Sequence, residues 1–240
     1  MSENLRIALV AEGPTDAIII KAALQALLPE GVSFILRQIQ PGTPSEEELG
    51  GSSDATSTDT GCGWGGVYRW CRNVSDMGSG DVLTAAGMNY DYIILHLDVD
   101  VSRKSYADAN IRTPVGSALP CDKICPPAIN SAKALQEVIQ SWLAPATASN
   151  IIWCFPSDNI ETWGFAAWKT RKANKVKKLE CHHGIAHRLN SSIKKTISSY
   201  IQNEDKFRSN WNIVEQLCPQ ANIFSEAIRS TILAQLEARP

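Results

Sequence analysis

The 240-residue chain has no stretch approaching the roughly 18 consecutive apolar residues of a membrane-spanning helix. No membrane partner is therefore expected. Its opening residues, MSENLRIALV, lack a basic segment followed by an apolar core, so no secretory signal is expected and the expected location is the cytoplasm. Charge of one sign is lacking too: 23 Lys and Arg stand against 25 Asp and Glu, a formal net charge of -2 that singles out no polyanionic partner by itself. Cysteine is present but lacks a framework. The seven cysteines lie scattered at 62, 71, 121, 125, 154, 181 and 218, and reduced thiols are the expected state. The nearest approach to a zinc pattern is Cys121-x-x-x-Cys125 with Cys181-His182-His183 far downstream; nothing in that spacing enforces four tetrahedral ligands, and zinc is not expected.

What is there is an ordinary globular composition, 44% hydrophobic and 20% charged, in a chain long enough for one large domain or two small ones. Leu5 to Val10 is a short apolar run ending in Ala-Glu-Gly-Pro, and Thr15 to Leu28 carries apolar residues at helical spacing, which reads as strand, tight turn, helix. Val32 to Ile39 alternates and reads as a second strand. Between Pro41 and Gly87 lie ten of the 15 glycines, among Ser, Thr and Asp, so this stretch is expected to be a long, partly mobile insertion. Within it, Trp64 to Val74 predicts a short helix with Val67, Trp70, Cys71 and Val74 on one core-facing side.

Tyr92 to Leu97 is the strongest strand signal, Ser102 to Pro127 reads as irregular, Ala128 to Leu143 as an amphipathic helix and Asn150 to Phe155 as a further strand. Strands alternating with helices predict an α/β fold with a mostly parallel sheet and right-handed crossovers. The last third reads as helical, with Ile185 to Ile201 and Ile213 to Leu236 carrying apolar residues at three-to-four spacing. The expected organisation is an α/β domain over 1–165, including the 41–87 insertion, and a basic helical extension over 166–240 packed on it.

Acidic residues punctuate the predicted strand ends: Glu12 after the first, Asp98 and Asp100 in LHLDVD after the third, and Glu161 shortly after IIWCFPSDN. If Asp98 and Asp100 continue the strand, they share a face roughly 6–7 Å apart. By the same reading His96 points away from them and packs in the core. In a parallel sheet the strand ends share one edge, so distant acids can converge there. Unpaired carboxylates in proximity destabilise, whereas Mg²⁺ or Mn²⁺ prefers such oxygens and keeps positions open for phosphate. The plainer reading of an isolated D-x-D is a solvated strand end.

Glu12-Gly13-Pro14-Thr15-Asp16 directly after the first strand, with Asp98-Val99-Asp100 ending a later one, resembles the TOPRIM domain of topoisomerases, primases and OLD-type nucleases. With Ile160-Glu161-Thr162-Trp163 added, the pattern is closer to short stand-alone TOPRIM-like bacterial proteins of uncharacterised function. The resemblance covers about residues 5–165. It implies a TOPRIM-like fold, Mg²⁺ or Mn²⁺ held by Asp98 and Asp100, and Glu12 as a further ligand or the general acid/base. It also implies Glu161 as a ligand for a second metal, or else a salt bridge to the basic segment that follows, and Asp16 as a supporting residue or a helix N-terminal acid. With neither a topoisomerase tyrosine context nor a primase zinc module, a hydrolytic nuclease is the expected activity, in phage defence or a mobile element.

Residues 169–195 carry nine Lys or Arg against one acid, Glu180, in a chain whose net charge is -2. Lys169, Arg171, Lys172, Lys175, Lys177 and Lys178 are expected to hold the phosphate backbone of DNA or RNA; the alternative is a solvated helix face. Trp163, Phe165 and Trp168 either stack on bases or anchor a helix to the core. Two other functions compete. One is a non-catalytic nucleic-acid or nucleotide sensor, or a subunit licensed by a partner ATPase. The other is a haloacid-dehalogenase-like phosphatase, in which Asp98 is the nucleophile, Asp100 the acid/base and Ser157 the strand-ending serine; that reading leaves Glu12-Gly13 unexplained.

Overall fold

The computed structural model describes residues 4–41, 61–78, 80–85, 89–146 and 150–237. Four strands form one all-parallel sheet: β1 (Leu5–Val10), β2 (Phe34–Gln40), β3 (Tyr92–His96) and β4 (Ile151–Cys154), in the spatial order β2-β1-β3-β4. The coarse expectation of an α/β fold with a parallel sheet is what the structure shows. β1, β3 and β4 are buried on both faces, which is why they read as near-continuous apolar runs. β2 and β4 are the edge strands; the alternating exposure of β2 reflects one covered face.

Helices cover both faces. On one, α1 (Pro14–Leu27) packs with Ile7, Leu9, Tyr92 and Ile94; on the other, α2 (Trp64–Asp76) and α4 (Ile129–Leu143) pack with Ala8, Val10, Ile93 and Leu95. A four-residue helix α3 (Val82–Ala85) lies between α2 and β3. Residues 42–60, 79 and 86–88 of the glycine-rich stretch lie outside the described residues, so its expected mobility is not addressed there. The α2 segment within it is core: Val67, Trp70, Cys71 and Val74 are all buried, as the spacing predicts. Trp64 and Tyr68 join Tyr106 and Trp142 in an aromatic cluster, and the Trp142 Nε1 donates to the Tyr106 hydroxyl at 2.8 Å. This cluster pins the loop after β3 onto α4.

The last third docks on the first sheet face. α5 (Glu161–Trp168), α6 (Thr170–Ala173), α7 (Ile185–Asn190), α8 (Ile197–Gln202), α9 (Glu204–Ser209), α10 (Trp211–Leu217), α11 (Pro219–Ile228) and α12 (Ala234–Glu237) share one hydrophobic cluster with β1, β3, β4 and α1. The two long helices expected here are broken. Residues 191–196, rich in Ser, Lys and Thr, interrupt the first, and Thr196 caps α8 by accepting from the Ser199 amide at 3.3 Å. Pro219 cannot continue α10 and instead opens α11 at its first turn.

The thiols also depart from expectation. Cys125 and Cys181 form a disulfide, tying the loop after β3 to the segment after α6, while Cys62, Cys71, Cys121, Cys154 and Cys218 are free. Two of the sulfurs weighed as zinc donors are thus joined to each other. No described helix is long and apolar enough to cross a membrane.

Candidate functional site

β1 leaves the sheet at Ala11, whose amide donates to the Gln40 carbonyl, and the next residue, Glu12, turns its carboxylate toward the end of β3. There Glu12 Oε1 accepts the Asp98 backbone N–H at 2.9 Å. Pro14 opens α1, and Asp16 in its first turn folds back to accept the Gly13 N–H at 2.8 Å. The β1 and β3 ends therefore meet side by side. β1 continues through α1 to β2 on one side, whereas β3 continues through α4 to β4 on the other, so this junction is where the strand order reverses, the position at which open parallel sheets generally bind ligands.

The D-x-D pair is not on the strand. β3 stops at His96, and Asp98 precedes a single 3₁₀ turn, Val99–Arg103, so Asp98 and Asp100 diverge rather than share a face. Backbone bonds impose this turn: the Val99 and Asp100 amides donate to the Pro156 and Asp158 carbonyls at 3.0 and 2.9 Å. Asp98 turns inward, and its Oδ1 accepts the Ile160 N–H at 2.8 Å. Asp100 is half-buried beside Lys104, at 3.7 Å.

His96 is fully buried, as expected, but it faces the acids. Positions 96 and 98 are two apart, so the period of the strand carries the imidazole to the face of Asp98 and α1. Its Nε2 lies 3.6 Å from both Asp16 Oδ2 and Asp98 Oδ1, while Nδ1 sits 3.2 Å from the Cys154 carbonyl. A carbonyl can only accept, so Nδ1 carries the proton. Among the described residues Nε2 has no hydrogen-bond partner.

The protonation of this cluster follows from crowding. Burial raises the Glu12 pKa to about 8, and Asp16 and Asp100 add to it against the Asp98 N–H. Burial and then Glu12, Asp16 and Glu161 push Asp98 well up, and burial raises Asp16 despite His96. Burial also lowers His96, against the pull of Asp16. Burial thus disfavours the charged form of the imidazole and of the carboxyls alike, which weakens the His96–aspartate approaches as ion pairs.

Glu161, at the start of α5, is buried, forms an ion pair with Lys195 and accepts the Tyr200 hydroxyl at 3.4 Å. This is the salt-bridge role weighed for it. Burial opposes the Lys195 charge, but Glu161, Asp16 and Asp98 outweigh it and raise its pKa. Lys195, itself exposed, is thus a cation that pairs with the buried acid rim from the outside. Asp158 closes the far side, paired with Arg103 and 3.3 Å from His183 Nδ1. His96, Lys195, Tyr200 and Asp158 are the members that sequence reasoning missed. The two-residue period could have found His96; Lys195, in the loop before α8, and Tyr200, within α8, are distant in sequence and leave no local signal.

Among the described residues, no three His, Cys, Asp or Glu side chains are grouped closely enough to cage a metal ion. The donor chemistry nevertheless suits a hard cation: Glu12, Asp98 and Asp100 offer only oxygens, and Glu12 and Asp98 spend one each on backbone N–H groups.

The basic segment lies at the other end of α5. Arg171, Lys172, Lys175, Lys177 and Lys178 are exposed and Lys169 is half-buried. Trp163, Phe165 and Trp168 are buried and anchor the helix: Trp168 Nε1 donates to the Asn203 carbonyl and Trp163 Nε1 to Glu180 Oε1. They present no face for base stacking. Glu180, the one acid of this segment, is also buried; it accepts Trp163 Nε1 and the Gln220 N–H, and burial raises its pKa to about 8.

Comparison with models of known protein families, with curated proteins and with solved structures found no match for this chain.

Proposed function

We propose that this protein is a divalent-cation-dependent phosphodiesterase of TOPRIM-like architecture, acting hydrolytically on nucleic acid. The observation that carries the reading is the meeting of Glu12 with the Asp98 amide where the strand order reverses, inside a rim of mutually repelling carboxylates. Glu12, Asp98 and Asp100 would hold Mg²⁺ or Mn²⁺. The ion would supply Lewis-acid stabilisation of charge on the phosphate oxygens. Glu12, whose proton is poised near neutral pH, is suited to move a proton at the reacting oxygen. Lys195 neutralises Glu161 and stands close to the reacting edge. The exposed cations beyond α5 hold the backbone through charge rather than base contacts.

Purified wild type and Asp98→Ala, each incubated with plasmid DNA and with single-stranded RNA in Mg²⁺, Mn²⁺ or EDTA, test this. Metal-dependent cleavage should fall in the variant by on the order of a hundredfold or more. Cleavage that ignores EDTA or the substitution would sink the reading.

The burial that disfavours charge on these carboxyls, together with the Lys195–Glu161 pair, favours a second reading, in which the isolated protein is held inert and a partner such as an ATPase licenses it. Its mark is metal binding without cleavage until the partner is added. The phosphatase reading is poorly supported, because Asp98 follows the third strand in chain order rather than the first, and Glu12 accepts its backbone N–H.

A further inference from the structure

Beside the C-terminal end of α5 the chain forms a basin of about 500 Å³. Lys169, Arg171, Lys172 and Lys175 line it from one segment, and Lys206 reaches in from α9. The remaining lining, Thr170 and the rim of the buried Trp168, adds no acid. Lys206 is fixed there because its Nζ donates to the Trp168 carbonyl at 2.9 Å, which leaves its other N–H groups for a ligand. Among the described residues none of these five cations is in an ion pair. Five like charges converging on one open concavity raise the local positive potential, which favours a ligand that brings several negative charges.

We infer that this basin binds the phosphorylated end of a nucleic-acid strand. A phosphodiester within the backbone brings one charge and two free oxygens, whereas a terminal phosphate brings about -1.5 to -2 and three acceptor oxygens. Bases find nothing to stack on, since Trp168 is buried with its indole N–H committed to Asn203. An end group asks for no base contact. The basin is also held at a set distance from the acid rim: α5 begins at Glu161 and ends at Trp168, and its eight residues span roughly 12 Å. A strand seated by its end phosphate would therefore meet the acid rim a short, constant number of nucleotides from that end. The inference rests on the phosphodiesterase reading for the identity of the strand and for nothing else.

The test is equilibrium binding in EDTA, where no chemistry proceeds, of 12-nucleotide strands ending in a 5′-phosphate, a 3′-phosphate or hydroxyls only. One phosphorylated strand should bind at least tenfold more tightly than its hydroxyl-ended twin at equal salt. Lys172→Gln with Lys206→Gln should erase that preference, and Arg171→Gln, an exposed position remote from the core, should weaken it severalfold in a chain of unchanged thermal stability. Equal binding of all three strands would overturn the inference, as would a preference that survives these substitutions. Tighter competition by inorganic tripolyphosphate than by the phosphorylated strand would also overturn it, assigning the basin to a free polyphosphate. The two readings separate cleanly: metal-dependent cleavage without end preference removes this inference alone, and end preference without cleavage removes only the phosphodiesterase reading.

Discussion

Glu180 shows how far a single residue's surroundings can reverse its ordinary chemistry. It is the one acid in a run of nine cations, and a surface role is its natural assignment, yet it is buried between Trp163 and the start of α11 with its pKa raised to about 8. Unfolded, the same carboxyl returns to its ordinary 4.5. The folded state therefore binds the proton more tightly, and the stability it gains is complete below about pH 4.5 and is lost as pH rises through about 8. Thermal midpoints of the wild type should fall between pH 5 and pH 8.5, and Glu180→Gln, which keeps a neutral acceptor, should flatten that fall. Glu12 and Asp98 are shifted in the same direction, so part of the fall should persist; a variant falling as steeply as the wild type would contradict the assignment. At this scale the sequence was legible where one strand end announced its acids, as at Glu12 and Asp98. It was misleading at Asp100, because backbone bonds to the β4 loop curl the chain into a 3₁₀ turn that no local pattern encodes.

Among the elements, α5 is the one on which both the acid rim and the basic basin depend. It is buried along its whole length, and Gly164 lets it approach its neighbours: a Cβ there would meet the Trp168 ring at 2.7 Å and Leu189 at 3.3 Å. The Trp168 contact is to a buried ring with a fixed hydrogen bond, so it cannot yield easily. Gly164→Ala should thus cost about 1–3 kcal/mol despite the better helix propensity of alanine, measurable by denaturant unfolding. A gain in stability would show that the ring moves aside. β1, β3, β4, α1 and α4 could be read to within a residue or two because their apolar periods are set by burial on two faces or one. The C-terminal helices could not. Their apolar spacing runs on through residues 191–196 and Cys218-Pro219, where the chain turns, since a hydrophobic period records which side faces the core and not where the helix stops.

Over the whole molecule, a net charge of -2 conceals a separation of charge. Acids gather at the strand ends and exposed cations beyond α5, so a polyanion would be held by the second and presented to the first. Nucleic-acid affinity should fall steeply with salt, and neutralising Lys172, Lys175, Lys177 and Lys178 together should lower the slope of log K against log salt by roughly 3–4. An unchanged slope would remove the basic segment from the interface. The expected division at 165 also acquires a physical cost, because Lys195 and Tyr200, beyond that boundary, reach back to Glu161 within it. The contact of Asp98 Oδ1 with the Ile160 amide has a further consequence. The proton on that amide looks directly at the carboxylate at the centre of the rim, so its chemical shift in a nuclear magnetic resonance spectrum is a built-in gauge of whatever Asp98 holds, legible without any substrate or label at the site.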